Sequence, residues 1–189
     1  FVIDKTCTLR VFATQKGKEN SFGCSRHFQR CPIAHTTYVN PPASRYGKNA
    51  DFALMDGKKG MSNTYASDWL GFEGTDMEAT IELTEPKAVK MIKIGIGHTP
   101  PKWVIWPKSV AVAYSTDGEL FSKWQHAELP VFDGNDAMTG LGRIEARARV
   151  DWKNAKFIRV KVESFGVLPK WHPYAGEKAW IMVDEVEIE

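Results

Sequence analysis

Residues Glu78–Leu83 alternate cleanly, with Ala79, Ile81 and Leu83 on one face and Glu78, Thr80 and Glu82 on the other. A period of two marks a half-buried β-strand, because successive side chains point to opposite faces of the backbone. The stretch 144–150 repeats the pattern, setting Ile144, Ala146, Ala148 and Val150 against Glu145, Arg147 and Arg149. Phe157–Glu163 does so again with Ile158, Val160 and Val162 inward. Val89–Ile96 and Ser109–Ser115 are more apolar and read as buried strands on either side of the loop that carries His98, Trp103 and Trp106. The second of them ends in Ser115-Thr116-Asp117-Gly118, a tight-turn signal in which glycine accepts the positive φ that the turn requires. No apolar period of 3.6 persists beyond two turns. Short strands with Gly, Pro and Asp punctuation and no crossover helices predict an all-β fold, an antiparallel sandwich.

Asn49–Met55 is read as a further strand leading into the turn Asp56-Gly57. The last strand, Trp180–Ile188, changes phase: Ile181 and Val183 share one parity, Val186 and Ile188 the other, with Asp184-Glu185 between. A parity change inside a strand predicts a β-bulge. Residues 5–31 read as a hairpin, Thr8–Thr14 and Ser21–Arg30 around a polar turn. Two strands are not a stable unit by themselves. They are either the last strands of a preceding β-sandwich or an edge added to the main domain. The proline-punctuated stretch from Cys31-Pro32 to Pro41-Pro42 is the expected boundary, with 1–36 a remnant plus linker and 37–189 the main domain.

Composition narrows the function. The chain has 189 residues, and 25 basic against 23 acidic side chains leave a net charge of +2. That gives no electrostatic footprint for nucleic acid, and no basic cluster exceeds two residues. No apolar run approaches the ~20 residues of a membrane-spanning helix. The chain opens on Phe1-Val2-Ile3-Asp4 without an initiator Met, so the expectation is a piece of something longer whose targeting segment is missing. Cys7, Cys24 and Cys31 are an odd number without zinc-site spacing, open to one bridge or to packed free thiols.

Catalytic signatures are weak. Asp184-Glu185 is a pair of carboxylates, but neighbours on a strand point to opposite faces and cannot flank one glycosidic bond unless the backbone is bulged. They are better read as a metal ligand or as acceptors for buried N–H groups. His98 and His172 have no nucleophile partner and no metalloprotease spacing, and Gly95-x-Gly97 is followed by prolines rather than a helix. The aromatic loops carry more. Trp69 with Phe72, Trp103 with Trp106, and Trp171 with His172 and Tyr174 each lie between expected strands. They either plug the ends of the sandwich or form a platform on which the C–H faces of sugars pack while His donates to hydroxyls.

At these residues the sequence resembles a known family. Ala53-Leu54-Met55-Asp56-Gly57, Trp69-Leu70-Gly71-Phe72, Trp103-Val104-Ile105-x-Pro107, Ser115-Thr116-Asp117-Gly118 and Val183-Asp184-Glu185-Val186-Glu187-Ile188 are similar to strands of the discoidin, or coagulation factor 5/8 C-type, domain. The run from Leu168-Pro169-x-Trp171-His172 to Trp180-x-x-x-Asp184-Glu185 resembles the C-terminal module of bacterial β-N-acetylhexosaminidases, the chitobiase-like enzymes of glycoside hydrolase family 20.

The resemblance implies a galactose-binding-like jelly-roll β-sandwich, akin to carbohydrate-binding module family 32. It also implies that this fragment is not an enzyme, because the catalytic barrel lies upstream. The implied function is a non-catalytic, monomeric carbohydrate-binding module of a periplasmic or extracellular glycosidase, with glycans and the upstream catalytic domain as partners. Its glycans would be galactose- or N-acetylhexosamine-containing. The implied sugar contacts are Trp69, His98, Trp103, Trp106, Trp171, His172 and Tyr174. A structural calcium on Ala53, Asp56 and Glu185 is implied as well, although Lys58-Lys59 follow where members often supply another oxygen. The alternative is a structural module that packs on the catalytic domain and binds no glycan.

Overall fold

The computed structural model describes residues 7–28, 33–61, 64–66, 68–130 and 142–189. It divides into two units, Phe1–Cys31 and Pro32–Glu189. In the first, β1 (Cys7–Val11) and β2 (Cys24–Phe28) form the expected antiparallel hairpin, with Leu9 opposite Arg26 and Val11 opposite Cys24.

The second unit opens with β3 (Ile33–Tyr38), which lies inside the stretch read as a connection. It is a strand because its register against Leu83–Ala79 extends the main sheet. Asn49–Met55 is not a strand. It holds a single helical turn, α1 (Ala50–Ala53), entered through Asn49 in the left-handed region at φ 57°. Four residues are too few for a helical period to show in sequence.

The remaining strands are β4 (Leu70–Glu73), β5 (Met77–His98), β6 (Ser109–Ser115), β7 (Gln125–His126), β8 (Gly142–Glu163) and β9 (Trp180–Ile188). All their ladders are antiparallel. β5 and β8 are each 22 residues long and join what the sequence reads as separate strands. Their mutual register slips between Glu82 and Met91, around the polar run Thr84-Glu85-Pro86-Lys87. Such slips bend a long strand so that it serves both layers of a sandwich. The first half of β5 pairs with β3 and the end of β8, which pairs in turn with β6. The second half pairs with β9 and the start of β8, and β9 carries β4.

The alternating positions become the core. Ala79, Ile81, Ile92, Ile94, Ile96, Val112, Ile158, Val160, Val162 and Val183 are all fully buried. The phase change in β9 is a bulge: Ile94 faces Val186 and Ile96 faces Val183, so one residue of β5, Gly95, stands against two of β9, Asp184 and Glu185. Both valines stay buried because Asp184-Glu185 take up the extra residue. Among the described residues, no helix is long and apolar enough to cross a membrane.

Candidate functional site

Two loops of the second unit bring together Trp103, Trp106, Phe165, Trp171 and Tyr174. The first, 99–108, leaves the end of β5 through a short 3-10 turn at Pro100–Lys102. Thr99 N–H donates to the Val104 carbonyl at 2.8 Å and closes the turn. Trp103 follows in the left-handed region at φ 64°, a conformation that costs a non-glycine residue on the order of 1 kcal/mol. It is held there by Trp180 N–H, which donates to its carbonyl at 2.8 Å, and by packing against Leu168 and Ala179 on one side and Val104 and Trp180 on the other. The second loop, 164–179, folds back on itself through Leu168 N–H to Glu177 O at 2.7 Å and Gly176 N–H to Leu168 O at 3.0 Å.

The loops meet through their rings. Trp106 and Trp171 stack nearly parallel, centroids 5.4 Å apart and planes 9° apart. Trp103 lies 5.6 Å from Tyr174. His98 and Phe165 meet Trp106 edge-on at 4.9 and 6.4 Å. Trp171 and Tyr174 are the open faces, 36% and 59% exposed, while Trp103 and Trp106 are half-buried behind them.

His172 is buried and ties the loops together. Its Nδ1 accepts the Tyr174 N–H at 3.1 Å, which leaves the proton on Nε2 to donate to the Pro100 carbonyl at 3.0 Å. His98 is fully buried under Trp106, and burial pushes its pKa down to about 4. It is therefore neutral at physiological pH.

Six of the seven sequence-derived sugar contacts thus come together: Trp106, Trp171, Trp103 and Tyr174 in and behind the surface, His98 and His172 beneath it. Trp69 lies in a different cluster, buried with Val104, Trp180 and Met182, where its Nε1–H donates to the Met61 carbonyl at 3.3 Å. Phe165 and Tyr65, whose hydroxyl is 2.8 Å from Thr99 Oγ1, also support the first loop and were not anticipated. Nothing in their local sequence sets them apart.

The bulge in β9 builds a second polar site. Asp184 is buried and fully engaged: Oδ2 accepts Gly60 N–H at 2.8 Å and Arg143 Nε–H at 2.6 Å, and Oδ1 accepts Glu185 N–H at 2.6 Å. This is the expected role as acceptor for buried N–H groups. The space for it comes from Gly95, where a Cβ would stand 1.9 Å from Asp184 Oδ1 and 2.1 Å from Arg143 Nη2. Glycine inside a strand is the sequence signal for such a close approach. Arg143 itself, far away in the chain, had no signal.

Glu185 and Asp56, the carboxylates assigned to calcium by resemblance, face the same turn. Gly57 N–H straddles both Glu185 oxygens at 3.3 and 3.2 Å. Asp56 Oδ1 accepts Lys58 N–H at 2.9 Å, and Oδ2 pairs with Lys58 Nζ at 2.9 Å. Burial, then Asp56, Asp184 and Glu187, raise the Glu185 pKa to about 8. Calcium takes six to eight oxygens converging on one point. Here N–H and ammonium donors meet both carboxylates, and among the described residues no group of three or more His, Cys, Asp or Glu is placed to hold a metal.

No protein-family model and no curated protein matches this sequence. Solved structures do. The lectin domain of lectinolysin complexed with Lewis B antigen superposes with a TM-score of 0.54 at 14% identity, over 84% of this chain and 94% of that one. A fucose binding module of Streptococcus pneumoniae gives 0.53 at 14% identity, over 84% of this chain and 92% of that one. A second module from that organism, SpX-3, gives 0.52 at 11% identity, over 86% and 98%. The chain has the antiparallel β-sandwich fold of these sugar-binding modules.

Proposed function

We propose that the unit 32–189 is a non-catalytic glycan-binding module whose ligand rests on Trp171 and Tyr174. The observation that carries the reading is that two exposed rings are each backed by a half-buried indole and pinned by one buried histidine. Exposed aromatic side chains normally cost solubility; rings pre-set on a rigid support present a flat apolar face with little ordering left to lose on binding. The structures with this fold that are named above include a lectin domain solved with Lewis B antigen and a fucose binding module, which supports the class.

In this reading His98, His172 and Trp69 hold the platform from behind, while Trp171, Tyr174 and the edges of Trp103 and Trp106 meet sugar. The galactose- or N-acetylhexosamine-containing ligand, and a secreted parent glycosidase resembling the family 20 hexosaminidases, rest on the sequence resemblance. For the Asp56–Glu185 position we infer that the chain's own donors stand where the sequence resemblance implies calcium, so that binding needs no divalent cation.

A glycan array, followed by titration of the hits, tests the reading. Single-sugar sites of this openness bind at about 0.1–1 mM. Trp171→Ala is expected to weaken a hit at least about tenfold, as loss of a central aromatic contact does elsewhere. A blank array at high protein density, together with binding of the isolated catalytic domain of the parent enzyme, would instead assign the aromatics to domain docking.

A further inference from the structure

Several lysines of this unit sit on carboxylates: Lys58 on Asp56 at 2.9 Å, Lys59 on Glu187 at 2.7 Å, Lys156 on Glu82 at 3.2 Å. Three on the aromatic loops, Lys108, Lys170 and Lys178, are placed differently. Lys108 has its Nζ 5.7 Å from the Phe165 ring, which itself abuts Trp106. Lys170 is exposed and immediately precedes Trp171, and Lys178 is paired through its backbone with Val167 across the same loop. Among the described residues no ion pair reaches Lys108, Lys170 or Lys178.

The imbalance is local. Loops 99–108 and 164–179 hold four lysines, Lys102, Lys108, Lys170 and Lys178, against one acid, Glu177. The chain as a whole is nearly balanced, at 25 basic to 23 acidic. The charge of Lys108, Lys170 and Lys178, without an ion pair of its own beside an aromatic surface, lowers the cost of bringing an anion there.

Resting on the glycan-binding reading, we propose that the ligand is an acidic glycan, its carboxylate or sulfate ester lying at the rim formed by Lys108 and Lys170 while a sugar ring packs on Trp171. Neutral sugars use the apolar face alone. The acidic group adds an attraction that each exposed lysine supports by about two- to fivefold in affinity. Salt shortens its reach from about 10 Å at 0.1 M to about 3 Å at 1 M.

The test is calorimetric titration of the full chain with four oligosaccharide classes, neutral, hexuronate-containing, sulfated and sialylated, in low salt and in high salt. At least one acidic class is expected to bind about tenfold or more tighter than neutral sugars in low salt and to lose most of that margin in high salt. The three acidic arms identify which anion is preferred. The double variant Lys108→Gln/Lys170→Gln should bring the acidic ligand down to the neutral one and leave neutral binding unchanged, while Lys156→Gln, on a strand, changes neither. Trp171→Ala should weaken every class. Neutral sugars binding as well as acidic ones, without salt dependence, would overturn this inference and leave the glycan-binding reading standing. Acidic binding that survives Trp171→Ala would also overturn it, marking unspecific polyanion attraction. No binding of any class would end both readings.

Discussion

Replacing Gly95 by alanine asks whether the ion pair of Arg143 with the buried Asp184 is held as tightly as its geometry indicates. The added Cβ would meet Asp184 Oδ1 at 1.9 Å and the Arg143 guanidinium at 2.1 Å. A flexible surface side chain would step aside at small cost. These cannot do so freely, because the Asp184 side chain is 0% exposed and its oxygens are committed to Gly60, Arg143 and Glu185. If the guanidinium is pushed off, a buried carboxylate loses its counter-charge, which costs about 3–5 kcal/mol. For a domain of this size that corresponds to a fall in Tm of roughly 6–20 °C. Urea unfolding followed by tryptophan fluorescence reads the loss as a shift of midpoint at unchanged slope. In an Arg143→Met background the same substitution should cost at least about 1 kcal/mol less, because contacting sites couple. A loss below about 1 kcal/mol in the parent chain, or strict additivity with Arg143→Met, would show that the pair yields and that the reasoning is wrong.

The pH response should carry the mark of His98. Its pKa is pushed down to about 4 by burial, so between roughly pH 6.5 and pH 4 the unfolded chain takes up a proton that the folded chain refuses. Stability is therefore lost as pH falls through that window, and His98→Phe should lose less than the parent chain when urea midpoints at pH 7 and pH 4 are compared; equal losses refute the assignment. Millimolar calcium and excess chelator should give the same Tm, whereas a calcium site filled to a hundred times its dissociation constant would raise it by roughly 5–10 °C.

Much of the fold is written in local pattern. The period of two in Glu78–Leu83, 144–150 and Phe157–Glu163 specifies strands, because a strand with one buried face has no other way to sort its side chains. The break of phase at Asp184-Glu185 specifies the bulge, since only an extra residue lets Val183 and Val186 face the same core. Asp117-Gly118 specifies its turn: Gly118 has φ +85°, and Ser115 Oγ accepts its N–H at 2.9 Å. The crowding of tryptophan into loops marks where a recognition surface could be built.

Other features have no local signature. The continuity of β5 through Pro86 depends on a slip in its register with β8, which follows from how two layers share one strand. The helical turn at Ala50–Ala53 is too short for periodicity to declare it. The same chemistry that made Trp69 and His98 candidates for sugar contact also suits a plug, and only packing separates the two. Trp69 and His98 are covered by their neighbours, whereas Trp171 and Tyr174 are not. Arg143 finds Asp184, and His172 finds Pro100, across separations at which sequence carries no information about contact. The sequence by itself determined the alternating strand segments and the bulge, because these follow from the backbone's own periodicity, and it supplied the residue types available for recognition. Tertiary structure alone decided which aromatic rings face solvent and which carboxylates are already satisfied, because exposure and pairing belong to the neighbours that folding supplies.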